Sequence, residues 1–276
     1  MIGVFDSGLG GLSVLSEIHK VCPAESTLYF ADQQNIPYGS RSEAEVQRFS
    51  HQICQYLLGR GATIIVVACN TATAAAIDWL RTHYPETQFV GMEPALKPAV
   101  SLTRSGKIGV LATAGTFKSQ RYAQLMNRYA QDVQLFQNSC VGLVEQIEAG
   151  KIADPETKEM LEAFIDPMLT EGIDTLILGC THYPFVHPLI KSIVGERVHL
   201  IDPAPAVAKQ TKYLLEQLPR PIIKKSCLHE YVTSGVLSRF IPAVNRLVPV
   251  IGQPTEVGQN RINAIHKTFY QKVDNN

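Results

Sequence analysis

The chain has 276 residues, 45 % of them hydrophobic, which is enough to bury the core of one large α/β domain or two of ordinary size. Its 25 basic residues balance 25 acidic ones, so no charge field concentrates nucleic acid or anionic lipid, and a small molecule is the expected partner. Six cysteines, at positions 22, 54, 69, 140, 180 and 227, form no C-x-x-C pair and lack the density of a secreted scaffold; they read as free thiols of a reducing cytosol. The N-terminus runs straight into an apolar strand pattern without a basic leader, and no apolar run approaches a membrane span, so a cytoplasmic protein with no membrane partner is expected.

The first element is the run IGVF (2–5), which leads into DSGLGGLS (6–13). A dinucleotide loop needs G-x-G-x-x-G, and Ser13 stands where the third glycine belongs; a P-loop lysine is also missing. Asp6 at the end of a strand would repel a phosphate. An acid followed by the hydroxyl of Ser7 suits a ligand with a positive group, while the glycines let the turn tighten and a helix start nearby. Asp6 and Ser7 serving only as caps of that helix is an equal alternative.

TLYFA (27–31) gives the next strand, and IPYGS (36–40) after it is a turn that places the Tyr38 and Gly39 backbone either at the same crevice or on the surface. Helical spacing over 43–58 precedes the strand TIIVVA (63–68) and the motif CNTAT (69–73). Cys69 then sits at the carboxyl end of a buried strand, before a helix (71–83) whose N-terminus favours a thiolate over a free thiol of pKa about 8.5. Asn70 and Thr71 add an amide and a hydroxyl there. The alternative is a buried structural cysteine.

KPAVSLTRSGK (97–107) carries the proline and turn residues of a crossing between domains. KIGVLA (107–112) is the next strand, followed by Thr113 and Thr116 at the start of a helix over 116–129, and then by the strand VQLFQ (133–137). Glu148 precedes Gly150, a glycine placed to end a helix; alone it is an ordinary solvated acid. A helix over 155–170 leads to the strand TLILG (175–179) and to CTHYP (180–184), where Cys180, Thr181 and His182 repeat the setting of Cys69. RVHLI (197–201) is the last strand of the series, LIDPAPAVA (200–208) a second crossing, and 204–218 a helix. After about residue 247 the periodicity fades and a partly frayed tail is expected.

Fully apolar strands alternating with helices define an α/β protein with parallel sheets covered on both faces. TIIVVACNTATAAA and DTLILGCTHYPFV echo one another, as two similar doubly wound domains facing each other would. Cys180 and His182 lie too close together, and without further C-x-x-C or H-x-x-x-H partners, to read as zinc ligands. A thiol hydrolase using Cys180 and His182 needs one nucleophile. Two similarly dressed thiols, one in each half, instead suit proton removal from one face of a carbon and delivery to the other, which is racemisation. No pyridoxal lysine or nucleotide motif is present, so no organic cofactor is implied.

With GVFDSGLGGLSVL, ADQQNIPYGS, VVACNTAT, GMEPALKPA, GVLATAGT and LILGCTHYP assembled, the chain resembles the glutamate racemases of the Asp/Glu racemase family, which supply D-glutamate for peptidoglycan without a cofactor. The resemblance implies two similar doubly wound α/β domains, 1–94 plus 205–276 and 95–204, with the active site in the cleft between them. It implies that Cys69 takes the α-proton of the D-isomer and Cys180 that of the L-isomer. Asp6, Ser7, Tyr38, Gly39, Asn70, Thr71, Thr116, Thr181 and His182 would contact glutamate, Asp6 tuning Cys69 and His182 tuning Cys180, with Glu148 supporting the Cys180 side. The segment CVGLVEQIEAG departs from the family in lacking prolines. No metal is implied, a homodimer is a candidate assembly with the oligomeric state left open, and a racemase of aspartate or another amino acid, a Cys-His hydrolase and a non-catalytic binding protein are the alternatives.

Overall fold

The structure, a computed structural model, describes residues 1–218, 227–250 and 261–264. In chain order its elements are β1 (Ile2–Asp6), α1 (Leu12–Val21), β2 (Thr27–Ala31), α2 (Glu43–Gly59), β3 (Ile64–Val67), α3 (Asn70–His83) and β4 (Gln88–Gly91). There follow α4 (Leu96–Leu102), β5 (Lys107–Ala112), α5 (Ala114–Lys118), α6 (Gln120–Tyr129), β6 (Gln134–Asn138), α7 (Leu143–Glu148), α8 (Pro155–Thr170), β7 (Thr175–Gly179), α9 (His187–Val194) and β8 (His199–Ile201). The chain then forms α10 (Ala204–Gln217), β9 (His229–Thr233), α11 (Leu237–Val250) and β10 (Arg261–Ala264).

Two parallel sheets result, one of order β10-β9-β2-β1-β3-β4 and one of order β6-β5-β7-β8, so the protein is α/β with two parallel-sheet domains as expected. Strands β1, β2, β3 and β7 are buried at every residue, which is why they read as unbroken apolar runs. One apolar cluster joins the sheets, running from Ile2, Val4 and Ile64 to Leu111, Leu176 and Leu178. In the first sheet the order reverses at β1, with β2 on one side and β3 on the other; in the second it reverses at β5, between β6 and β7. Parallel α/β sheets bind ligands at such switch points, outside the carboxyl ends of the strands. Those ends carry Asp6 and Cys69 in one sheet, Thr113 and Cys180 in the other.

Several elements differ from the sequence reading. The short strands β4 and β9 were not expected: β4 has only Phe89 and Val90 fully inside, and β9 mixes His229 and Glu230 into its run. The helix expected over 116–129 is two helices, because Ser119 adopts extended backbone and turns its hydroxyl to cap Tyr122 N while Thr113 caps Thr116 N. The crossing at 97–107 contains the helix α4, whose Pro98 falls in the first turn, where its missing N–H is not needed. Of the tail expected to be partly frayed after about residue 247, α11 continues to Val250 and β10 pairs with β9; its remaining residues lie outside those described. Among the described residues no helix is long and apolar enough to cross a membrane.

The end of the first crossing is fixed by Asp174. Its carboxylate accepts from Thr103 Oγ1 (2.6 Å), Arg104 N (2.7 Å), Ser105 N (2.8 Å) and Thr175 Oγ1 (3.0 Å). Partial burial would raise its pKa, but these four donors hold it well below the usual carboxylate range. A folded pKa below the unfolded value of about 3.9 gives stability that is complete above that value and fades as pH falls through the folded one. Asp174→Ala should therefore cost about 1–3 kcal/mol in urea unfolding at neutral pH, with the two proteins converging in acid; an unchanged midpoint at neutral pH would show that the carboxylate does not brace the crossing.

Candidate active site

The opening glycines are where the two sheets meet. None of Gly8, Gly10 and Gly11 has a positive φ, so a tight left-handed turn is not what demands glycine here. Close approach is. A Cβ at Gly8 would overlap Glu148 and Ile36, one at Gly10 would overlap Thr181 and His182, and one at Gly11 would come within 2.6 Å of the Asp6 Cβ. The backbone of 8–10 thus forms a floor onto which side chains of the second domain settle, a different role from a phosphate cradle. The capping alternative for Asp6 and Ser7 fails as well, since α1 is capped by Gly11 with no side-chain bond.

Asp6 instead ties the two domains together. Its Oδ1 accepts from Gly8 N (2.9 Å) and its Oδ2 from Thr181 Oγ1 (3.0 Å). Ser13 Oγ reaches across to the Thr181 carbonyl (2.9 Å), and Thr71 and Thr113 share a hydrogen bond of 2.7 Å between the end of β3 and the end of β5. Thr113 in turn meets Thr116 at 3.1 Å. A Cβ on Gly39 would stand 2.9 Å from Thr113, which brings the 38–39 backbone to the same place. The Tyr38 ring itself turns away, packing on Phe49 and donating its hydroxyl to Asp32 Oδ2 (2.6 Å).

The two thiols are both buried here, in unlike surroundings. Cys69, 5 % exposed, caps α3: its Sγ accepts from Ala72 N (3.4 Å) and donates to Ser7 Oγ (3.8 Å). Burial, seconded by the Asp6 charge, pushes this thiol up to about 12, which overturns the expectation that the helix end would favour the thiolate. Cys180, also 5 % exposed, does not begin an α-helix; a turn and a short 3-10 helix (Tyr183–Val186) follow it. The turn lets His182 fold back, with Nδ1 3.7 Å from Cys180 Sγ and Nε2 donating to Glu148 Oε1 (2.7 Å).

Burial alone would strip the proton from His182, but Cys180 and Glu148 outweigh it and hold the ring as an imidazolium. Burial would likewise raise Glu148, yet the bonds from His182, Leu9 N (2.6 Å) and Gln33 Nε2 (3.0 Å) keep it below the usual range. Asp6 is pushed up by burial, against His182 and its two donors. Asn70 is 3 % exposed, and neither atom of its amide has a hydrogen-bond partner among the described residues. An unsatisfied buried amide beside two thiols has the chemistry of a ligand contact.

Every residue singled out from the sequence is therefore at one place, with Tyr38 contributing backbone alone. Asp32 and Gln33 were missed. Asp32 holds Tyr38, Asn35 and Ser234, and carried the same signal as Asp6, an acid directly after a buried strand. Gln33 gave no local signal. No group of His, Cys, Asp or Glu among the described residues has the arrangement of a metal site. A cavity of about 940 Å³ lies elsewhere, lined by Arg81, Lys97, Arg121 and Arg128 among others, and contains neither thiol.

Two parallel-sheet α/β domains that meet at their strand ends constitute an Asp/Glu-racemase fold. The family model described as Asp/Glu/Hydantoin racemase matches residues 2–211, and the chain belongs to that family. It is 50 % identical over 239 residues to a glutamate racemase of Ectopseudomonas mendocina, covering 87 % of this chain and 91 % of the relative. Among solved structures it is similar to a glutamate racemase of Bacillus anthracis, with TM-score 0.82, 32 % identity and coverage of 96 % and 97 %. The glutamate racemase of Escherichia coli in complex with L-glutamate and the activator UDP-MurNAc-ala gives TM-score 0.81 and 31 % identity, with 96 % and 97 % covered.

The charge on His182 is directly measurable. In the intact protein its imidazole C2 proton should titrate well above pH 6.5, and Glu148→Gln, which removes the acceptor charge, should lower that midpoint by about one pH unit or more. An unmoved midpoint would show that Glu148 does not hold the proton.

Proposed function

We propose that the chain is a cofactor-independent glutamate racemase that interconverts L- and D-glutamate by proton transfer between Cys69 and Cys180, supplying D-glutamate for peptidoglycan in the cytoplasm. The observation that carries this reading is the unlike dressing of two buried sulfurs brought together from the two domains. Racemisation by two bases needs one thiol charged and the other protonated. Cys69, beside Asp6 and buried, rests as a thiol, whereas Cys180 faces a cationic imidazolium whose Nδ1 stands 3.7 Å from its sulfur.

In the L to D direction the Cα–H bond breaks towards Cys180, whose sulfur takes the proton, and the Cys69 S–H bond breaks to protonate the opposite face. Cys69 is left as thiolate and Cys180 as thiol, the state that D-glutamate needs for the reverse step. The carbanion-like transition state is supported by donors placed around the carboxylate, for which Asn70, Thr71, Thr116, Thr181 and the backbone of Tyr38 and Gly39 are the candidates. Asp6 and Ser7 suit the substrate ammonium. Because these side chains are almost wholly buried, glutamate enters only when the domains part. The division of the chain into 1–94 plus 205–276 and 95–204 goes with this reading and is supported by the return of β9 and β10 to the first sheet.

Incubation with L-glutamate in heavy water, without added cofactor, should erase optical rotation and load deuterium at the α-carbon. Cys69→Ser and Cys180→Ser should each slow this exchange by about 10²–10⁴. A Cys69→Ser enzyme at full rate, or a trapped acyl group on Cys180, would replace racemisation with thiol hydrolysis.

A further inference from the structure

A line of polar contacts leaves the Cys180 side of the site and ends on β9. Glu148 Oε2 accepts from Gln33 Nε2 (3.0 Å), and Gln33 Oε1 accepts from Thr233 Oγ1 (3.0 Å). Thr233 Oγ1 itself accepts from Gly235 N (2.9 Å). Elementary valence fixes the protons along this line. A backbone N–H can only donate, so Gly235 occupies a lone pair of the Thr233 hydroxyl, and the single hydroxyl proton points to Gln33. That proton needs an acceptor, so Gln33 turns its carbonyl oxygen to Thr233 and its NH₂ to Glu148; the flipped amide would set an oxygen against a carboxylate. A Cβ at Gly235 would stand 2.9 Å from the Gln33 Cβ and 3.0 Å from its Oε1, so glycine is what lets the β9 end come this close. Thr233 is fully buried.

We propose that Gln33 and Thr233 are positioning residues for the Cys180 half of the reaction, orienting the Glu148 carboxylate so that it holds His182 against the sulfur. This rests on the reading of Cys180 as an acid-base group. Gln33 follows β2 and Thr233 ends β9, both in the first sheet, whereas Glu148, Cys180 and His182 lie between or after strands of the second. The charge on His182 is thereby tied to closure: only when the two domains meet does Glu148 gain its donors from Gln33 and Leu9. The titratable groups facing His182 are Glu148, Cys180 and Asp6, and of these Glu148 is the one that Gln33 touches.

The test uses the full-length protein in three variants: Thr233→Val, which removes the hydroxyl at nearly equal volume, Gln33→Met, which removes the amide, and Thr233→Ser, which restores the hydroxyl. Two quantities are followed, the pH profile of α-proton exchange and the His182 titration by NMR. Gln33→Met should slow exchange about tenfold, the effect of losing one charge-assisted hydrogen bond, and Thr233→Val, which removes the neutral bond that orients Gln33, about threefold or more. Both should also move the His182 midpoint and the alkaline limb of the profile to lower pH, and Thr233→Ser should recover most of both relative to Thr233→Val. A His182 midpoint identical to wild type in both Thr233→Val and Gln33→Met would overturn the proposal, whatever the rate. Failure of the underlying reading has a different signature, full exchange activity in Cys180→Ser, and leaves the His182 midpoint to decide whether the two residues hold Glu148 in place.

Discussion

The site depends on one close approach, that of the bare backbone at residues 8–10 to Glu148, Thr181 and His182. Side chains are missing at Gly8 and Gly10 because Glu148, Thr181 and His182 of the opposite domain occupy their space, and at Gly11 because Asp6 and Tyr29 of the same domain do. From this contact follow the bond from Leu9 N to Glu148, the fold-back of His182 towards Cys180, and the tie between Asp6 and Thr181. A methyl group at Gly10 would push on the very imidazole that gives Cys180 its charged neighbour. Glycine therefore works here through absence of volume rather than through conformational freedom.

Burial then sets the electrostatics. A helix N-terminus contributes about 0.3–1 kcal/mol to a nearby anion, whereas carrying a thiol up to about 12 corresponds to several kcal/mol, so Cys69 stays protonated even at the head of α3. On the other side the same desolvation is overcome because His182 has Cys180 and Glu148 in contact and Glu148 has three donors. The two sulfurs therefore differ in both backbone setting and charged neighbours, Asp6 beside Cys69 and the His182 imidazolium beside Cys180. That combination is what a reaction with one acid and one base requires, and a pair of identical environments would leave both sulfurs in the same protonation state.

The resemblance between the halves is a matter of topology first. Each sheet reverses its strand order beside its first strand, and each reversal opens a crevice at the carboxyl ends where a small residue and a cysteine follow. The likeness stops one residue later. Cys69 runs directly into a long helix, while Cys180 is followed by a turn that the sequence Thr181-His182-Tyr183-Pro184 makes before any regular helix can start.

Much of this was legible in the chain itself. Buried parallel strands announce themselves as unbroken apolar runs, so β1, β2, β3, β5 and β7 were readable, as were the thiols, Asp6 and the threonines placed directly after them. β4 and β9 escaped because edge or mixed strands carry too few apolar residues to stand out, and the break at Ser119 because a cap competes with helix only through local backbone geometry. The amino-acid order determined the fold class and which chemical groups stand at strand ends, since both follow from periodicity and from neighbours along the chain. Only the tertiary structure decided what those groups do to each other: that the glycines make room for His182, that Cys69 is a thiol, and that Gln33, Thr233 and Glu148 meet. Desolvation and contact between residues more than a hundred positions apart depend on distance in space, which the order of residues does not state.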